Sequence, residues 1–95
     1  MITIEQIQKD SKPHLSGAGR MVRYETPHLI ISIVGGRVGL YGDFNETFEM
    51  AIIDKKTKDF ISETLYPEYS DSMGQIMPYV ERETMLRIVN ELVKK

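Results

Sequence analysis

Apolar and polar residues alternate in four stretches of the chain, and each stretch predicts a β-strand. The four stretches are Arg20–Glu25, His28–Val34, Phe44–Ile53 and Asp59–Leu65. The last two are joined by the polar residues 54–58, whose aspartate and lysines are typical of a hairpin turn. Because hairpin-length connections join antiparallel neighbours, the pattern favours an antiparallel sheet.

The stretch His28–Val34 is apolar on both of its faces. One face carries Leu29, Ile31 and Ile33, and the other carries Ile30, Ser32 and Val34. A strand of this kind usually lies in the middle of a sheet and is covered on both sides. We therefore expect it to be central, with a layer on each face.

The stretch Phe44–Ile53 also alternates. Its first face carries Phe44, Phe48, Met50 and Ile52, with Glu46 as the exception. Its second face is polar at Asn45, Thr47 and Glu49 and becomes apolar at Ala51 and Ile53. We expect the first face to lie against the core.

Two segments have the spacing of helices. In Ile2–Lys9, Thr3 with Gln6 three positions later fits a capping box. The second helix is expected from about Val80 to Val93, and its apolar stripe is Met85, Leu86, Val89, Leu92 and Val93. We expect the long helix to cover one sheet face, and the short helix or a second copy of the chain to cover the other.

These elements predict an α+β fold, with an antiparallel sheet of about four strands, a C-terminal helix on one face and a short N-terminal helix. At 95 residues the chain fits one domain, 1–95. Its expected parts are an N-terminal helix and loop (1–19), the sheet (20–65), an irregular segment (66–79) and the C-terminal helix (80–95).

Composition narrows the classes of function. The chain has no cysteine, which excludes disulfides, thiolate nucleophiles and Cys-based metal sites. The sequence has neither an apolar run long enough to cross a bilayer nor a signal-peptide core at its start, so we expect a cytoplasmic protein. A net charge of -2 argues against general nucleic-acid binding, which depends on Lys and Arg.

The charge is unevenly distributed. Residues 43–72 contain 3 basic and 8 acidic groups, a net charge of -5. A rigid array of carboxylates could imitate nucleic-acid phosphates in a basic groove. The same charges could simply be solvated, with the lysines mixed among them. The sequence leaves both interpretations open.

The glycine-rich residues 35–42 invite comparison with phosphate-binding loops. A P-loop needs Lys followed by Ser or Thr and then a helix, whereas Asp43 and a strand pattern follow Gly42 here. The dinucleotide-binding spacing of glycines is absent as well. We interpret this run as a twisted turn that uses positive φ angles.

No residue pattern predicts catalysis. The only histidines, His14 and His28, do not have metal-ligand spacing, and no serine lies in a GxSxG elbow. Asp54 and Asp59 flank a lysine-rich turn and are most simply solvated. We expect no enzymatic activity, no cofactor and no metal.

The segment between Pro67 and Pro78 and its flanks are rich in tyrosine and methionine, which are enriched at protein interfaces. We interpret Ile76 and Met77 as part of a loop folded over the core, and leave Tyr66 and Tyr69 open. The candidate partner-binding residues are Tyr41, Asp43, Glu49, Tyr66, Glu68, Tyr69 and Asp71.

The sequence Phe48-Glu49-Met50-Ala51-Ile52-Ile53-Asp54 resembles a strand of small bacteriophage and prophage proteins. Residues 71–76 and the helix over Glu81–Val93 extend the resemblance, which covers about residues 20–95. Ser72 departs from it, because the family pattern often has an acidic residue there. Proteins of this family generally lack an assigned function, so the resemblance transfers no site residue.

The resemblance implies a phage or mobile-element origin and action inside a host cell. Small phage proteins often bind and block a host protein, including components of host defence such as a CRISPR effector. Our hypothesis is a non-enzymatic protein that binds and inhibits a host or defence factor. The alternative is a homodimeric structural or assembly protein that pairs through its sheet, which the two-faced apolar strand favours.

Overall fold

A computed structural model of the chain describes residues 1–13, 19–36 and 42–94. Within them lie the helices α1 (Ile4–Asp10), α2 (Ser62–Leu65) and α3 (Arg82–Val93). The strands are β1 (Lys12–Pro13), β2 (Arg20–Glu25), β3 (Leu29–Gly35), β4 (Thr47–Asp54) and β5 (Met77–Glu81). The expected α+β fold is confirmed, with five strands in the described part of the chain.

The strands form one antiparallel sheet in the order β1-β2-β3-β4-β5, so each strand pairs with its neighbour in sequence. The central position expected for the stretch His28–Val34 is therefore confirmed. In the register, Ile33 lies between Val22 of β2 and Met50 of β4. Side chains opposite one another share a face, so these three residues lie on the same side of the sheet.

The core lies between this side of the sheet and α3. Its fully buried sheet residues are Ile31, Ile33, Phe48, Met50, Ile52 and Met77. The helix contributes Met85, Ile88, Val89 and Leu92. The predicted stripe is largely confirmed, although it lacked Ile88, while Leu86 and Val93 are half-buried. We call this side of the sheet the covered face.

Helix α1 lies on the covered face as well. The side chain of Ile7 is fully buried in the same core cluster as α3. The Asn90 side chain of α3 accepts a hydrogen bond from the backbone N–H of Ile2 and donates one to its carbonyl, at 2.7 and 2.9 Å. The expectation that the short helix could cover the second face is therefore wrong. Its N-cap is confirmed, because the Thr3 hydroxyl accepts from the N–H of Gln6.

The prediction of a strand over Asp59–Leu65 is wrong. Only Phe60 bridges to the sheet, opposite Ile53, and α2 follows immediately. The hydroxyl of Ser62 is fully buried, accepts from the N–H of Ile52 at 2.9 Å and donates to the carbonyl of Gln75 at 3.0 Å. This side chain takes the place of a strand partner at that edge of β4.

The fifth strand, β5, lies where an irregular segment and the start of a helix were predicted. Phe48 pairs with Val80 and Met50 with Met77, so two residues of β5 oppose one residue of β4. This is a β-bulge, and Tyr79 within it has a φ of +51°. The bulge interrupts the alternation of side chains between the two faces, so the sequence pattern did not reveal this strand. The helix α3 begins at Arg82 rather than at Val80.

Candidate functional site

The predicted site residue Asp43 organises the turn before β4. Its carboxylate accepts hydrogen bonds from the N–H groups of Asn45, Glu46 and Thr47, at 2.8 to 3.0 Å. These bonds, that of Thr47 first, lower the pKa of Asp43 to about 2. The strand predicted to begin at Phe44 therefore begins at Thr47. The structure gives Asp43 a turn-forming role.

The close approach at this turn also explains Gly42. A Cβ placed on Gly42 would lie 2.8 Å from the backbone of Phe48, and its φ is +156°. Gly36 has a φ of +89°, which fits the interpretation of a twisted turn. The rest of the predicted glycine loop, residues 37–41, lies outside the described residues, as do the candidate residue Tyr41 and His14.

Tyr66 and Tyr69 pack against the outer side of α3. The hydroxyl of Tyr66 donates to Glu91 at 2.8 Å, and Arg87 donates to the hydroxyl of Tyr69 at 2.9 Å. Arg87 and Glu91 form an ion pair at 3.2 Å, which closes this network. Burial, with a contribution from Glu91, raises the pKa of Tyr66 to about 12. Both tyrosines are half-buried and hold the segment after α2 on the helix.

The remaining acidic candidates are dispersed. Asp71 accepts from the N–H of Gln75 at 3.2 Å and so closes a local turn. Glu68 is exposed beside Tyr79, which is 62% exposed, at a hollow of about 240 Å³. Glu49 lies on the opposite side of the sheet, across from Val34. The six candidate residues that the structure describes, all except Tyr41, therefore do not form one surface.

The interpretation of the acidic segment as a nucleic-acid mimic finds little support in this geometry. Asp43 and Asp54 lie near opposite ends of β4, and the Asp54 carboxylate accepts from the N–H groups of Lys56 and Thr57. Glu46 is paired with Arg82 at 2.7 Å. Each of these carboxylates bonds to a separate local partner and stabilises a turn or a connection. The geometry therefore favours the alternative, in which the charges of this segment are solvated and do not form an array that imitates phosphates.

The second side of the sheet carries the other half of the strand residues. It includes Met21, Arg23, Glu25, Ile30, Ser32, Val34, Glu49, Ala51, Ile53 and Phe60, as the strand register requires. We call this side the open face, because the three described helices are all placed with the core on the covered face.

The open face has an apolar row across three neighbouring segments. Ile30 pairs with Ile53, and Ile53 pairs with Phe60, a residue that is 46% exposed. At the centre, Ser32 pairs with Ala51, and both have small side chains. Val34 and Ala51 are 8% exposed, while Ile30, Ile53 and Met21 are half-buried.

Charged residues border this apolar centre. Arg23 lies on β2 and Glu49 on β4, with β3 between them. Glu25 is paired with the ammonium group of Lys55 at 3.0 Å, which lowers the pKa of Glu25. The arrangement of an apolar centre with a polar border of both signs is typical of protein–protein interfaces.

The described residues hold no group of three or more His, Cys, Asp or Glu side chains that could bind a metal. His28 is exposed at the beginning of β3. An apolar hollow of about 200 Å³ lies beside it, between Leu29, Ile61 and Leu92 at the end of the core. Among the described helices, none combines the length and apolar character that a membrane crossing requires.

Comparison of the chain with family models, with curated proteins and with solved structures gave no match. The resemblance to small phage proteins therefore stays a prediction. Sequence reasoning did recognise the second apolar face, through Ile30, Val34, Ala51 and Ile53. It missed Phe60 and the positions of the charges, because these depend on strand register and on a single bridge.

Proposed function

We propose that this protein is a non-enzymatic protein-binding module and that the open face is its contact surface. The apolar row Ile30–Ile53–Phe60 carries this proposal, because it lies on a sheet face that the described helices leave uncovered. A contiguous apolar patch with a polar border typically marks an interaction site. The covered face, in contrast, is fully used by the core.

The charged residues that border the open face favour a protein as the binding partner. Arg23 and Lys55 are accompanied by Glu25 and Glu49, so both signs are present. Nucleic-acid surfaces depend instead on a concentration of Lys and Arg. Two kinds of protein partner follow from the sequence. One is a host or defence factor such as a CRISPR effector, as the phage resemblance implies, and the other is a second copy of this chain.

Site-specific photo-cross-linking in cells tests the contact surface. A photoreactive phenylalanine analogue replaces Ile53 on the open face, and the same analogue replaces Thr64 as a control. Thr64 is exposed on α2, whose Leu65 lies with Leu92 of α3 on the covered side. We expect a cross-linked protein from position 53 and none from position 64. Absence of a product from position 53, or equal products from both positions, would refute the proposal.

A further inference from the structure

The charges of the open face are arranged so that the face is complementary to itself. Arg23 lies on β2 opposite Ser32, and Glu49 lies on β4 opposite Val34. The basic and the acidic residue are thus on either side of β3. Ser32 and Val34 are two residues apart, which is about 7 Å along a strand. Arg23 and Glu49 are therefore diagonal neighbours across the central strand.

We propose that the open face is occupied by a second copy of this chain, in a dimer whose two-fold axis lies between the copies and crosses β3 obliquely, midway between Ser32 and Val34 and perpendicular to the line from Arg23 to Glu49. This inference rests on the proposed function, because both use the same surface. A two-fold axis in this position places Arg23 of each copy over Glu49 of the other, so that two opposite-charge pairs form. The strands of the two copies then cross at a large angle, as they do in orthogonal sheet packing.

The centre of the face suits a close approach of two sheets. Ser32 and Ala51 lie near the axis, and neither side chain extends far from the strands. Facing sheets pack about 10 Å apart when their side chains interdigitate. The taller Ile53 and Phe60 flank this centre and would bury against their counterparts. Glu25 adds no unpaired charge to the interface, because it is paired with Lys55.

The size of the face predicts a weak dimer. Four strands about 4.8 Å apart, each with about seven residues at 3.4 Å, present roughly 450 Å² of each copy. Two copies would bury about 900 Å² in total, which is below the roughly 1,200 Å² typical of stable complexes. We therefore expect a weak dimer, with a dissociation constant between about 1 μM and 1 mM.

Complementary charge reversal tests the arrangement. We expect Arg23→Glu alone and Glu49→Arg alone each to weaken self-association by about tenfold or more, since each homodimer then contains two like-charge contacts. In a mixture of the two variants, both contacts of the heterodimer are attractive again. Analytical ultracentrifugation should therefore show dimers in the mixture that neither variant forms alone. Glu63→Arg, on α2, is the control and should behave like the original chain.

The mixing experiment excludes an effect within one chain, because neither variant contains a restored pair. A second test is independent of Glu49, which also interacts within its own copy. The chain has no cysteine, so Ser32→Cys introduces a single thiol near the proposed axis. A short bismaleimide reagent should join two copies through position 32 and leave a Thr64→Cys variant uncoupled.

The outcomes separate this inference from the proposed function. A chain that stays monomeric to 1 mM, or a mixture that does not recover dimers, overturns the second copy as partner. If position 53 still cross-links a different protein, the protein-binding function stands and its partner is that protein. If position 53 cross-links nothing as well, both proposals fail.

Discussion

The two faces of this sheet are built by the same strands, yet their residues are used differently. Ile31, Ile33 and Ile52 on the covered face are fully buried, whereas Ile30 and Ile53, each adjacent in sequence to one of them, are half-buried. Residue type does not distinguish the two sets. The difference arises from α1 and α3, which pack on one side only. On the second side, isoleucines of the same strands stay partly exposed in the single chain.

The largest expected effect comes from truncating neighbouring isoleucines of β3. We expect Ile31→Ala to lower the free energy of unfolding by about 2–5 kcal/mol, because it leaves a cavity in a closely packed core. Ile30→Ala should cost about 1 kcal/mol or less in dilute solution, because part of its side chain is already hydrated. Urea unfolding of both variants measures the difference.

The Ile31→Ala and Ile30→Ala variants also show whether the chain is a monomer or a dimer. Equal losses at low protein concentration would contradict the description of an uncovered face. A loss at Ile30 that grows with protein concentration would show that a second copy buries this residue, since dissociation of the dimer then contributes to unfolding.

Sequence reasoning identified β2 and the central strand, because their alternation is regular and Thr26-Pro27 separates them clearly. It also identified the hairpin turn at Asp54, whose carboxylate accepts two backbone N–H groups as turn aspartates do. These features depend on residues close together in the chain. Local patterns therefore predicted the middle of the sheet and its face assignment.

The failures concern elements that distant contacts decide. The stretch Asp59–Leu65 has some alternation, but Ser62 reaches the N–H of Ile52 through its side chain and α2 forms. The strand β5 is hidden by a bulge. For the site, alternation predicted a second apolar face, but the relation of Arg23 to Glu49 on that face requires the register of three strands.

Two serines provide the next comparison between the sides. Ser62→Ala should cost about 1–3 kcal/mol, because it leaves the N–H of Ile52 and the carbonyl of Gln75 without their buried partner. Ser32→Ala on the open face should change stability by about 0.5 kcal/mol or less. Thermal and urea unfolding test this. Similar losses at both positions would contradict the difference in burial between Ser62 and Ser32.

A smaller effect is expected for the tyrosines that sequence reasoning assigned to a partner. Tyr66→Phe removes the hydrogen bond to Glu91 and should lower stability by about 0.5–1.5 kcal/mol. Because Tyr66 packs against α3 on the covered side, the change should leave self-association through the open face unaltered. Unfolding and sedimentation measurements on the same variant check both statements. Weaker association without a change in stability would return Tyr66 to the contact surface.

The smallest effect concerns the turn at Asp43, which sets the start of β4 and so supports both faces equally. Its pKa of about 2 lies below its ordinary value of 3.8, because three backbone N–H groups bind the charged form. A depressed pKa of this kind stabilises the fold above about pH 4, and the stabilisation is lost as the pH falls towards 2. In Asp43→Asn the amide oxygen accepts similar bonds without titrating. The Tm difference between the original chain and this variant should therefore be largest above pH 4 and shrink by pH 2. A constant difference over this range would contradict the role of the charged carboxylate in the turn.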